Sequence, residues 1–225
     1  RRSSNLNLNF DTREGILLTA YCDHLEVYSL DIIGCKKMNL STKFVRESGD
    51  AGIVCSNSSN VKIHHCDISN VQTWGIAGWG VPNSEVYNCN VYNFGSQSGI
   101  AFNHTSYWDG TTGATISGIV SNDVSIHDNL VDTGGLYGIE FEGDGDAYRG
   151  KCYSNTVINV KYGVACVNMQ SGNVYNNDVT QCSAAYFFTS RDVIRSEVNW
   201  INFHDNTAQS CLIGLFPGQM AYAKL

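Results

Sequence analysis

Apolar residues in this chain come in short alternating bursts, and the bursts recur. A glycine followed by a β-branched residue stands at Gly15-Ile16, Gly52-Ile53, Gly75-Ile76, Gly99-Ile100, Gly138-Ile139 and Gly163-Val164, with Ala185-Tyr186 and Gly214-Leu215 as degenerate continuations. Successive spacings are 37, 23, 24, 39, 25, 22 and 29 residues, so a unit near 23 is stretched by insertions. A second column, Leu30, Cys66, Cys89, Asn129, Asn155, Asn177 and Asn206, follows with spacings of 36, 23, 40, 26, 22 and 29. Two columns that stretch and shrink together mark a true repeat. Three positions before each member of the second column stands Val27, Ile63, Val86, Ile126, Cys152, Val174 or Phe203. Two positions after stands Ile32, Ile68, Val91, Val131, Val157, Val179 or Ala208. Each repeat thus reads as short strands separated by Gly and Asn corners. One such unit cannot bury its own apolar face, whereas coils stacked about 4.8 Å apart can.

Composition narrows the fold further. Proline is nearly absent (2), while glycine (22) and asparagine (23) are abundant, which disfavours long helices and favours corners. No helical or Leu-rich repeat signature is present, and the step is about half the roughly 40 residues of a propeller blade. The predicted fold is all-β: a right-handed parallel β-helix of about seven to eight coils, one domain over 1–225, cut from a longer chain. Asn129, Asn155, Asn177 and Asn206 are expected to face inward as a ladder, each amide satisfying its neighbours. The nine cysteines show no CxxC or zinc spacing and read as small core residues without disulfides, although Cys66 and Cys89 fall on successive coils.

Net charge is −7 and no basic run appears, which argues against nucleic acid. No stretch approaches the roughly 20 apolar residues of a membrane helix. No secretion leader is evident; the chain opens Arg1-Arg2-Ser3-Ser4-Asn5 and runs directly into patterned sequence.

On the coil length, the Gly-Ile starts and the asparagine ladder, residues 15 to 216 resemble the pectate-lyase-like β-helix superfamily. The Asp-Pro-His-Glu motif of alginate epimerases is missing. So are the paired-aspartate and Gly-His-Gly set of polygalacturonases and the Arg-x-x-Pro-x-x-Arg of pectate lyases. Within the superfamily the chain looks most like the shaft of a bacteriophage tailspike. That resemblance implies a homotrimer, a place on the virion tail or outside the cell, and cleavage of cell-surface polysaccharide.

The residue after each β-branched one should point outward, giving the column Leu17, Val54, Ala77, Ala101, Glu140, Ala165 and Phe187. Such an apolar stripe must be covered by a flanking segment or a partner chain. Glu140 interrupts it; Glu142 follows on the same side, about 7 Å along the strand, and Asp144 and Asp146 occupy the next corner. Crowded carboxylates beside apolar neighbours have raised pKa values, as a general acid requires. A carboxylate pair about 5 to 9 Å apart is the apparatus of glycoside hydrolysis. The four are therefore the candidate catalytic residues, and isosteric amides there are expected to leave folding intact. The plainer alternatives are a solvated acidic corner, or calcium bound at Asp144 and Asp146; no other cofactor is implied.

Two enlarged corners, from Asn103 through Gly118 and from Thr189 to Val198, flank this edge. They offer His104, Tyr107, Trp108, Asp109 and Arg191, and Trp79 lies near the same edge. These are the candidate substrate-binding residues, the rings for stacking on sugars. Arg149 joins them as a cation for an acidic sugar, or else pairs with Asp144 or Asp146. Finally, Tyr28, His64, Tyr87, His127, Tyr153, Tyr175 and His204 form an outward column, either a sugar-binding strip or a packing seam. Three functions stay open: a polysaccharide hydrolase, a non-catalytic glycan-binding adhesin or shaft, and a polysaccharide lyase with His104, Tyr107 or Arg149 near its base.

Overall fold

The computed structural model describes residues 8–9, 14–19, 23–35, 51–103, 106–108, 115–117, 121–143, 149–169, 171–189 and 200–217. Three parallel sheets of eight, eight and seven strands run the length of a solenoid. In the first, three-residue strands such as Asp67–Ser69, Asn90–Tyr92 and Leu130–Asp132 stack in order. The second holds the long strands, among them Ala51–Ser56, Ser98–Asn103, Tyr137–Glu142, Tyr162–Val167 and Ala184–Thr189. A third contains Lys62–His64, Glu85–Tyr87, Val124–His127, Arg149–Tyr153 and Ser171–Tyr175.

The register reproduces the sequence columns. Ile63, Val86, Ile126, Cys152 and Val174 pair coil to coil. So do Ile68, Val91, Val131, Val157 and Val179. All ten are shut off from water, each contributing about 1.5–3 kcal/mol of burial.

The recurring glycine has a steric cause. In the long strands, Gly and the following Ile both face the core, so alternation breaks there. A Cβ on Gly75 would lie 2.3 Å from Val91 Cγ1 and 2.5 Å from the Gly99 carbonyl oxygen. Only a residue without a side chain lets the corner close so tightly. Because two successive residues point in, the residue before the glycine points out. That places Ser98, Tyr137 and Tyr162 on the outer face.

Asparagine has two separate uses. Among the described residues, nine of the nineteen non-glycine residues with positive φ are asparagines, including Asn70, Asn88, Asn93 and Asn176, each turning a corner. The ladder is the other use. Asn155 Nδ2 donates to Asn177 Oδ1 at 2.9 Å and to the Ile126 carbonyl at 2.9 Å. Asn155 Oδ1 accepts from the Asn129 backbone N–H at 3.1 Å and from Asn129 Nδ2 at 3.0 Å. Asn177 repeats the arrangement onto Asn206. Asn129, Asn155 and Asn177 are buried, as the inward reading requires.

Among the described residues, eight cysteines are free thiols, seven of them buried. Cys66 and Cys89 extend the asparagine ladder with sulfur: Cys89 Sγ lies 3.8 Å from the Ile63 carbonyl oxygen, and the Cys89 N–H donates to Asn129 Oδ1 at 2.9 Å.

Candidate functional site

The outer face of the long-strand sheet carries the acidic residues. Ile139 and Phe141 fill the core, so Glu140 and Glu142 project from the opposite side of Tyr137–Glu142. Register places Ala101, Glu140, Ala165 and Phe187 in one column, and Trp79, Asn103, Glu142 and Val167 in the next.

Burial here sorts the alternatives. Val54, Ala77, Ala101 and Ala165 are at most 1% exposed within the single chain, so the chain itself covers this part of the stripe, while Phe187 is half-buried. Glu140 itself is only 4% exposed and accepts a 2.6 Å hydrogen bond from Ser98 Oγ. Tyr137 (8% exposed) stacks on Tyr162 at 5.4 Å, and Tyr162 on Phe187 at 4.8 Å, making an aromatic wall on the same face. Glu140 is therefore a fixed, dry carboxyl group, and the expectation that an amide there behaves as a surface change is corrected. Glu142 is half-buried at the strand end.

Other predicted residues divide. Trp79 is half-buried in register with Asn103, two coils before Glu142, and meets Trp74 edge-on at 5.4 Å. Tyr107 and Trp108 belong to Ser106–Trp108, which pairs antiparallel with Thr115–Ser117 in the first enlarged corner. His104, Asp109, Asp144, Asp146 and Arg191 lie outside the described residues. Arg149 stands on a different sheet and its guanidinium grips Asp123 of the preceding coil, through Nε at 3.2 Å and Nη2 at 2.8 Å. That bidentate grip raises the Arg149 pKa; the expected partners Asp144 and Asp146 lie outside the described residues. Among the described residues, no group of three His, Cys, Asp or Glu side chains could hold a metal.

The Tyr/His column is a continuous stack. Ring centroids from Tyr28 to His204 follow one another at 4.5 to 5.3 Å with interplanar angles of 1° to 12°. Neighbouring rings occupy the faces of the interior members, which leaves only their edges outward. A sugar stacks on a face, so the strip reads as a packing seam. Carboxylates line its edge: His127 Nε2 meets Glu85 Oε1 at 2.9 Å and Nδ1 meets Asp128 Oδ2 at 2.7 Å.

Sequence reasoning missed Ser98 and Asn103. Ser98 was hidden by the broken alternation at Gly99-Ile100, since strict alternation aims it inward. Asn103 looked like the first residue of a loop, yet it closes the strand Ser98–Asn103 and stands beside Glu142 in register.

A solenoid of three parallel sheets, with an inward asparagine ladder and a glycine at most of its tight corners, defines the parallel β-helix class. The family model described as right handed beta helix region matches residues 23–184, and the chain belongs to that family. No curated protein and no solved structure matches it.

Proposed function

We propose that this β-helix protein acts on polysaccharide, cleaving a glycosidic bond at the outer face of its long-strand sheet with Glu140 and Glu142. The observation that carries the reading is Glu140: a carboxyl group 4% exposed, held by Ser98 on an otherwise apolar column, with a second carboxylate two residues along the same face. Burying a neutral acid costs less than burying its anion, so Glu140 is the group suited to carry a proton to the reaction. It gives that proton to the glycosidic oxygen as the bond to the anomeric carbon breaks. Glu142, nearer water, takes a proton from the water molecule whose oxygen attacks that carbon. Trp79 supplies an aromatic wall one coil from Asn103 and two from Glu142. A homotrimer on a virion tail or outside the cell, as in tailspikes, travels with this reading; calcium at Asp144 and Asp146 would instead go with a structural corner and the non-catalytic reading below.

One observation favours a second reading, a shaft or glycan-binding adhesin without catalysis. The same burial that tunes Glu140 also restricts access to it. Incubating the purified protein with capsular and O-antigen polysaccharides, and following new reducing ends, separates the two. Release of reducing ends that Glu140→Gln and Glu142→Gln each abolish supports hydrolysis. Binding without any release supports the adhesin, and unsaturated uronate products would move the assignment to a lyase.

A further inference from the structure

Cys182 and Cys211 hold equivalent corner positions on the last two described coils. Asp178–Thr180 pairs in register with Thr207–Gln209 just before them, and the ladder continues past them, the Leu212 N–H donating to the Cys182 carbonyl at 3.2 Å. Stacked coils lie about 4.8 Å apart, inside the roughly 4.4–6.8 Å of Cα separation that a disulfide bridges. The sulfurs are neighbours as well. The Cys182 backbone N–H donates to Cys211 Sγ at 3.4 Å, which seats that sulfur in the gap between the two coils, against the residue that carries the other thiol. Both are thiols in this structure.

The two differ in access. Cys182 is 3% exposed, and burial above all pushes its thiol up to about 11, the Cys211 thiol adding to the effect. Cys182 therefore stays protonated near neutral pH and is a poor first nucleophile. Cys211 is half-buried, the one thiol among the described cysteines that is not shut away from water. Cys66 and Cys89 repeat the same stacking, but both are 0% exposed and their strands are paired from both sides. Thr207–Gln209 instead ends its sheet among the described strands. That matters because parallel neighbours keep their Cβ atoms about as far apart as their Cα atoms, a little beyond the roughly 3.5–4.5 Å of a disulfide. One corner must shift to close the bond, and a corner paired on one side shifts more easily than one held between two coils.

We infer that Cys211 is an oxidation site and Cys182 its resolving partner, so that a small-molecule disulfide converts the pair into a bridge stapling the last coil to the one before it. The Cys211 thiolate attacks one sulfur of glutathione disulfide, forming a mixed disulfide and releasing one glutathione. The Cys182 thiol then gives up its proton and attacks Cys211 Sγ, closing the bridge as the second glutathione leaves. The two cysteines lose two electrons and two protons, and glutathione disulfide takes them up to become two glutathiones. The bridge closes a loop that contains the second enlarged corner. No step uses Glu140 or Glu142, so the inference is independent of the polysaccharide reading.

The test incubates the reduced, native full chain with glutathione disulfide, alkylates the remaining thiols in denaturant and maps the peptides by mass spectrometry. A peptide linking Cys182 to Cys211 is expected, reversed by dithiothreitol, with Cys66, Cys89, Cys152 and Cys166 recovered as alkylated thiols. Cys182→Ser should stop at one glutathione on Cys211, and Cys211→Ser should leave Cys182 a thiol; circular dichroism checks that both variants fold. The oxidised parent should show a higher urea midpoint than the reduced parent, because the bridge narrows the unfolded ensemble, and Cys182→Ser should show no such rise. A native parent whose Cys211 takes no glutathione, or holds it without linking to Cys182, would overturn the inference. Bridging of Cys66 to Cys89 at the same rate, or a Cys182–Cys211 link that forms only in urea, would do the same.

Discussion

Removing one rung of the inward ladder should cost more than its size suggests. In Asn155→Ala, the Asn129 backbone N–H loses its acceptor, and one N–H of Asn129 Nδ2 loses its own while the other keeps the Val86 carbonyl at 3.0 Å. The Ile126 carbonyl and Asn177 Oδ1 each lose a donor, the latter keeping its bond from the Asn155 N–H at 3.1 Å. Two stranded donors and one stranded carbonyl, in a site 1% exposed, amount to about 3–5 kcal/mol at the usual cost of a buried unmet group. That is a large share of the roughly 5–15 kcal/mol that holds a domain together. Asn206→Ala is the internal control. It removes the same acceptor from Asn177 N and Nδ2, but in the half-buried last coil, where water can substitute; about 1 kcal/mol is expected. Asn155→Cys should fall between, since Cys66 and Cys89 hold equivalent positions with sulfur near a carbonyl oxygen. Urea unfolding followed by circular dichroism reads all three. Equal losses at positions 155 and 206, or a loss under 1 kcal/mol at 155, would refute the claim that amide pairing, and not mere volume, makes the ladder.

Gly75→Ala drives a Cβ against Val91 and the Gly99 carbonyl and should lower stability by about 2–4 kcal/mol, whereas Gly214→Ala, with nothing within 4 Å, should be neutral in the same urea assay. Burial pushes the Cys166 and Cys182 thiols up to about 12 and about 11 from 9.0. Between pH 9 and 12 the unfolded chain therefore holds fewer protons than the folded one, and stability should be flat below pH 9 and fall through that window. An unchanged urea midpoint across it would show those thiols are not shielded. Ser98→Ala removes the Ser98 hydroxyl from Glu140 Oε2 and should destabilise the fold by about 1–2 kcal/mol, an effect that Glu140→Gln, which keeps an acceptor there, largely avoids.

The columns were legible because a solenoid repeats one environment per coil. Ile63 and Val86 could be aligned by spacing alone, and the same holds for the Asn ladder and the Tyr/His stack. What spacing cannot carry is any feature that occurs once. Ser98 reaches Glu140 only because Gly99 and Ile100 both turn inward, and the glycine's reason lies in Val91-like neighbours one strand away. Arg149 grips Asp123, 26 positions back and in contact only because one coil stacks on the next, a pairing no local spacing announces. Burial of Glu140 likewise comes from three-dimensional cover that no local pattern encodes.

The most direct test compares reducing-end release from a purified surface polysaccharide by the parent chain and by Glu142→Gln. Glu142 stands half-buried at its strand end, so its amide should leave the urea midpoint unchanged. The folded variant is expected to lose at least several hundredfold in rate. A Glu142→Gln protein that digests the polysaccharide as fast as the parent would place the chemistry elsewhere on the solenoid.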